Sequence, residues 1–351
     1  MTKYMKIKEN YAKDFFWVCF KIGIGVLVYR YGLELFGTVA GTLIAVVQYI
    51  WPDAVVLTNV VVQLATGASS VAAFAAGAVA MFVLLKIGKS KNYQKVHKRI
   101  KMPWTAPFMV VSVVAINFVF AELNAFIMAY LTADGAYTGS SYGTGISIPE
   151  MLTMAIATAV VPAICEELAF RGIILTNLEP YGKGTAILGS ALLFGLMHMN
   201  PAQFLYTTVM GIMLGLVYVK TKSIWLCMVI HFVNNGLSVI QDIVYYLFDA
   251  DAVVRIMSVM TLTVTVLGIV SMLILILARR HETKRAPEEI GSFGRIYDSD
   301  FGYEARPVTF GRKLRLFFSP TVLVFTATVL VTMALMAVIY IFGFILPPIS
   351  L

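Results

Sequence analysis

Charge is what this sequence has least of. Asp, Glu, Lys and Arg make up 13% of its 351 residues, against 59% hydrophobic residues. So little charge, combined with several apolar runs of about twenty residues or more, excludes an ordinary soluble domain and implies a polytopic, all-α membrane protein. Cysteine is nearly absent: Cys19, Cys165 and Cys227 show no metal-ligand spacing, and the last two lie in apolar runs. They are expected to pack as small buried hydrophobes, with no disulfide framework. No short apolar stretch ending in a small-residue cleavage site precedes the first span, so a cleaved signal peptide is not expected. The 27 Lys and Arg outnumber the 19 Asp and Glu. The surplus falls in short loops beside apolar runs, where the positive-inside rule and anionic lipid account for it, and nucleic acid is not an expected partner.

Along the chain, residues 1–30 mix Lys3, Lys6, Lys8, Lys13, Lys21 and Arg30 with Phe15, Phe16 and Trp17. This stretch suits a basic amphipathic helix at the inner interface, or the beginning of a long first span. Residues 31–148 should hold the N-terminal transmembrane helices, at 35–50, within 54–85 and at about 104–131, with a basic loop over 86–101. Glu122, with Asn117 and Asn124 nearby, is an intramembrane carboxylate read as a helix–helix polar contact. Residues 149–278 carry spans at about 150–178, 224–248 and 253–277. Between the first two of these lie two short spans within 184–219, broken at His198, Met199, Asn200 and Pro201. Residues 279–317 form a polar segment and 318–351 a last transmembrane helix. With the N-terminus cytoplasmic, every basic loop falls inside and the turns at Asp53, Asp134 and Asp249 fall outside, giving about nine spans.

The stretch from Val161 to Asn177, VPAICEELAFRGIILTN, places Glu166, Glu167 and Arg171 in an otherwise apolar run. Each ionisable group at bilayer depth costs at least about 2.5 kcal/mol on insertion scales, which makes the stretch a functional-site candidate. Residues four apart share a helix face, so Glu167 and Arg171 should pair. Glu166 points about 100° away and is left available for chemistry. Pro162, one turn earlier, lacks a backbone donor and should kink the helix.

Histidine is scarce too, with four in the chain. Two of them, His198 in LLFGLMH and His231 in HFVNN, sit in apolar runs. His198 follows Phe194 by four residues, and His231 shares a face with Asn235, with Asn234 as a rival for that face. A carboxylate and a neutral imidazole converging on one water make a general base. A second imidazole beside an amide NH₂ supplies two donors for a tetrahedral oxyanion. This combination describes peptide-bond hydrolysis by an activated water. Cys165 points off the Glu166 face and no serine stands at a motif position, which disfavours a covalent nucleophile. Zinc is the rival, with Glu166, His198 and His231 as its ligands. The paired HExxH helix is absent and no supporting carboxylate is evident beside either histidine, so zinc is the less favoured reading.

EELAFR (Glu166 to Arg171), FGLMH (Phe194 to His198) and HFVNN (His231 to Asn235) resemble the three signature motifs of the type II CAAX prenyl endopeptidases. The same motifs mark their bacterial relatives, the CPBP (CAAX protease and bacteriocin-processing, or Abi) family. The resemblance covers roughly Glu150 to Phe248 and implies a four-helix CAAX-protease-like core within the bundle. It further implies a glutamate-type intramembrane endopeptidase with no cofactor, in which Glu166 and His198 activate water and His231 and Asn235 form the oxyanion hole. Glu167 and Arg171 would buttress the site, with Phe194 and Asn234 as supporting neighbours. Its substrate would be a peptide or protein, lipidated or membrane-embedded, met among membrane lipids; the short loops and Gly/Ala-rich spans fit a bacterial cell membrane. The alternative it implies is a non-catalytic regulator or scaffold of the same fold, acting in self-immunity or cell-envelope regulation. His198 raises a depth problem, because it ends a short span while Glu166 lies within a long one. A hairpin tip buried in the bilayer would resolve it.

Overall fold

The computed structural model describes residues 3–53, 55–85, 102–131, 145–285 and 309–345. The basic loop at 86–101, most of the loop before Pro149 and most of the 279–317 segment lie outside the described residues. What is described is helical throughout its length apart from short turns. The helices are α1 (Lys3–Ile50), α2 (Val55–Leu85), α3 (Ala106–Leu131) and α4 (Ile148–Tyr181). After these come α5 (Lys183–Met197), α6 (Pro201–Thr221), α7 (Ile224–Leu247), α8 (Ala250–Arg285), α9 (Phe310–Phe317) and α10 (Pro320–Ile345).

Seven of these, α1–α4 and α6–α8, are long and apolar enough to cross a bilayer, and α9 with α10 makes an eighth if that bent pair is one span. The protein is an all-α, polytopic integral membrane protein. A helix stands at each of the nine expected positions, but α5 has only 15 residues. The basic N-terminal stretch and the first span are one unbroken helix of 48 residues, which at about 1.5 Å per residue is roughly 70 Å long. Leu35, Val39, Leu43 and Val46 on α1 and Leu262, Val266, Leu273 and Leu277 on α8 are exposed. Faces this apolar are at home against lipid tails, and in water would be aggregation surfaces.

Local chemistry fixes the helix ends that matter for the site. Ser147 caps α4 with a reciprocal box, its hydroxyl accepting from the Glu150 amide while its own amide donates to Glu150 Oε2 at 2.8 Å. The α5–α6 turn is three residues long: Met199 takes a left-handed backbone (φ 53°) and Asn200 Oδ1 accepts from the Ala202 amide at 3.0 Å, opening α6. Lys222 closes α6 with a second left-handed residue (φ 54°). Around these turns α4, α5, α6 and α7 pack together, with α3 against α6 and α7, α8 against α3, and the α1–α2 hairpin against α4. The short α9 meets α10 at 74°.

Candidate functional site

The centre of the site is a buried ion cluster between α4 and α7. Glu167 and Arg171 are fully buried and pair through Oε1 and Nη1 at 2.7 Å, as the four-residue spacing predicts. The same Glu167 oxygen accepts from His231 Nδ1 at 2.8 Å. A carboxylate only accepts when ionised, so this contact puts the proton on Nδ1 and turns Nε2 toward Glu166. Nε2 stands 3.8 Å from Glu166 Oε2, an oxygen that is buried without a hydrogen-bond partner. Arg171 reaches further, with Nη2 donating to the Gly211 carbonyl on α6 at 3.2 Å.

Phe194 of α5 organises the neighbouring groups. Its ring lies 5.0 Å from that of Phe170, 5.1 Å from that of His198 and 5.8 Å from that of His231, and the Arg171 guanidinium carbon sits 4.8 Å from its centroid. Both histidines therefore border one aromatic ring. His198 Nδ1 donates to the Phe194 carbonyl at 2.9 Å, leaving Nε2 as its lone-pair nitrogen. Among the described residues His198 makes no direct hydrogen bond to Glu166 or to His231.

α5 is 15 residues long. Glu166 and His198 lie at nearly equal numbers of residues from the turn at Tyr181 and Gly182, so at about 1.5 Å per residue each stands roughly 22 Å from it. The tip after His198 is held inside the protein, since Asn124 of α3 donates to the Ala202 carbonyl just beyond it.

Asn235 turns toward α4, as its register with His231 predicts, and its Nδ2 donates to the Thr158 carbonyl at 3.0 Å. Pro162, four residues beyond Thr158, has no N–H to offer that carbonyl. The expected disturbance of α4 takes the form of π-helical stretches at Ile156–Val160 and Leu168–Leu175, on either side of the two glutamates. In the second stretch side-chain hydroxyls serve the loosened carbonyls, Ser190 on that of Phe170 at 2.9 Å and Thr176 on that of Arg171 at 2.8 Å.

Asn234 faces α3, where its Oδ1 accepts from Asn117 Nδ2 at 2.8 Å. The sequence grouped Asn117 and Asn124 with Glu122. The two asparagines make interhelical bonds, whereas Glu122 is exposed and has no partner among the described residues. On a helix, five residues turn Glu122 about 140° from Asn117, which takes it off the core-facing side. The signal for Asn117 was its place in an apolar run, yet its link to the site could not be seen without the packing of α3 on α7. As for zinc, no group of three His, Cys, Asp or Glu side chains among the described residues is arranged to hold a metal ion. His231 and His198 each commit Nδ1, to Glu167 and to the Phe194 carbonyl, and leave Nε2 available. A carboxylate behind an imidazole is also what supports a metal ligand, so zinc stays the rival that a chelator tests.

These features define a polytopic membrane protein with a buried Glu–Arg–His cluster at its centre. Residues 148–237 match the Rce1-like family, described as type II CAAX prenyl endopeptidase Rce1-like. This similarity agrees with the resemblance to the CPBP family, and all three motifs lie inside the matched segment. It is also 34% identical over 91 residues to the protein named "Putative membrane peptidase YdiL" of Bacillus subtilis (strain 168). That similarity spans 26% of this chain and 37% of the relative. No solved structure matches the chain.

Proposed function

We propose that the protein is an intramembrane endopeptidase that hydrolyses a peptide bond with a water activated by Glu166. The observation that carries this reading is the contrast between two adjacent carboxylates. Each keeps a buried Oε2 without a hydrogen-bond partner among the described residues, but Glu167 is fully buried and its Oε1 binds both Arg171 and His231, whereas Glu166 has no ion pair there closer than the 3.8 Å from its Oε2 to His231 Nε2. A buried acceptor of this kind calls for a donor, and a gap of that width suits a shared water or a substrate oxygen.

In the reaction, Glu166 takes a proton from the water, helped by the lone pair on His198 Nε2. The new hydroxide adds to the scissile carbonyl carbon, whose oxygen becomes the oxyanion. Asn235 has a second N–H beyond the one given to Thr158, and it serves as one oxyanion donor. His231 is the other, a role that needs a proton on Nε2, with Nδ1 kept on Glu167. Collapse breaks the C–N bond, and the proton held by Glu166 goes to the leaving amine. Glu167 and Arg171 act by fixing the imidazole of His231. The family description favours a substrate with a prenylated cysteine near its C-terminus, and the same proposal has it presented from the cytoplasmic side of a bacterial cell membrane. Membrane lipids surround the exposed apolar faces.

The test is cleavage of internally quenched peptides, with and without an S-farnesyl cysteine near the C-terminus, by protein in nanodiscs. Glu166→Gln should lower kcat by about 10²–10⁴-fold, the usual weight of a general base, with and without chelator alike. Loss of wild-type activity to chelator and its return with zinc would transfer Glu166 and the histidines to a metal. Full activity in Glu166→Gln would sink the glutamate mechanism. A cellular phenotype kept by that variant would favour a scaffold.

A further inference from the structure

Asn117 lies on α3, outside the matched segment 148–237, and is 2% exposed. Its Nδ2 donates to Asn234 Oδ1 at 2.8 Å, Asn234 Nδ2 donates to Asn235 Oδ1 at 3.2 Å, and Asn235 Nδ2 donates to the Thr158 carbonyl at 3.0 Å. Three amides thus form one directed chain from α3 through α7 to α4.

The direction of the chain is set by chemistry. Thr158 offers a carbonyl, which only accepts, so Asn235 must present its NH₂ there and its oxygen to Asn234. Asn234 must then donate to Asn235 and accept from Asn117. Reversing any one amide sets oxygen against oxygen or NH₂ against NH₂. The chain ends on Asn117 Oδ1, which is buried with no partner among the described residues.

That unpaired oxygen is informative. At a helix interface a leucine, with the same branching though larger, would remove the unsatisfied Oδ1 of Asn117 but take the donor from Asn234 Oδ1. Packing does not explain an asparagine here, whereas the N–H it supplies to Asn234 does. We infer that Asn117 is a positioning residue for the proposed oxyanion donor, acting through Asn234. Asn235 is clamped at its oxygen by Asn234 and at one N–H by Thr158. Its remaining N–H points in one direction before substrate arrives, which is the preorganisation an oxyanion site requires. Removal of Asn117 frees the Asn234 amide to rotate and loosens the clamp.

This inference rests on the reading of Asn235 as an oxyanion donor. The test measures kcat, KM and thermal unfolding in nanodiscs for the wild type, Asn117→Leu, Asn117→Asp, Asn235→Ala, Asn117→Asp/Asn235→Ala and Glu166→Gln, on the S-farnesylated quenched peptide. Asn117→Leu should unfold close to the wild-type temperature, one unsatisfied acceptor replacing another, with kcat down about tenfold and KM little changed, a fraction of the loss for a direct donor. Asn117→Asp keeps the size but presents only acceptors, so it should lose as much. In the Asn235→Ala background Asn117→Asp should cost nothing more. Wild-type kcat in both Asn117 variants, or losses that multiply with Asn235→Ala, would overturn the inference while leaving the peptidase reading intact, provided Glu166→Gln and Asn235→Ala remain impaired. Unimpaired cleavage by those two would overturn the peptidase reading itself. A readout without turnover is binding of a peptide aldehyde, whose hydrate mimics the tetrahedral intermediate, against the matching alcohol. The preference for the aldehyde should fall in both Asn117 variants, and an unchanged preference counts against the role.

Discussion

Arg171 is the residue on which the cluster depends for its folded state. It is fully buried, carries charge, and holds Glu167, the Gly211 carbonyl and the face of Phe194 at once. Removing one partner of a buried ion pair leaves the other uncompensated, so Arg171→Leu should destabilise the protein by about 3–5 kcal/mol. Glu166→Gln removes a carboxylate that has no such partner and should unfold close to the wild-type temperature. Thermal unfolding in nanodiscs followed by tryptophan fluorescence measures both. Equal stability losses in the two variants would contradict the division of labour between the adjacent glutamates. A guanidinium is also hard to replace, since lysine lacks the planar fork that reaches Glu167 and Gly211 together.

At the scale of the element, the decisive features are irregularities. Pro162 leaves the Thr158 carbonyl without its usual helical donor, and Asn235 takes that place. Pro162→Ala supplies an amide N–H that competes with Asn235 for the carbonyl. Its expected outcome is a fall in kcat at unchanged or improved thermal stability, measured on the same peptide. If kcat does not change, the carbonyl does not hold Asn235. The α5–α6 hairpin depends on close approach, for a Cβ on Gly211 would stand 2.8 Å from the Ala191 Cα. Backbone cannot yield as a side-chain tip can, so Gly211→Val should cost about 1–3 kcal/mol by overpacking and disturb the carbonyl that Arg171 uses. Lower unfolding temperature together with lower activity is the expected pair of results.

For the whole molecule, the arrangement joins the chain's ends to its centre. The Tyr181 carbonyl, at the end of α4, accepts from Tyr11 of α1 at 3.2 Å and from Lys313 of α9 at 2.5 Å. Phe317 of α9 packs on Gly189 of α5, the helix that carries Phe194 and His198. Thr321 at the start of α10 donates to the Phe20 carbonyl of α1 at 2.7 Å. A cytoplasmic N-terminus places this junction, with Lys183, Lys220 and Lys222, on the inner side, and Asp249 on the outer. In a cysteine-free background, a membrane-impermeant maleimide should label Asp249→Cys in intact cells and Lys220→Cys only after permeabilisation. The opposite pattern would invert the proposed orientation.

The amino-acid sequence by itself determined the class of the molecule, its helical segments and the pairing of Glu167 with Arg171. These follow from apolar run length and from the 3.6-residue period, which act within one segment of chain. It likewise marked Glu166, His198, His231 and Asn235, because polar groups are costly in apolar runs wherever they occur. Only the tertiary structure decided what those groups touch. That His231 turns Nδ1 to Glu167, that Asn234 reaches Asn117, that Glu122 faces away, and that Asn124 holds the α5–α6 turn all depend on helix rotation and crossing. Contacts between distant segments fix both, and no local periodicity encodes them.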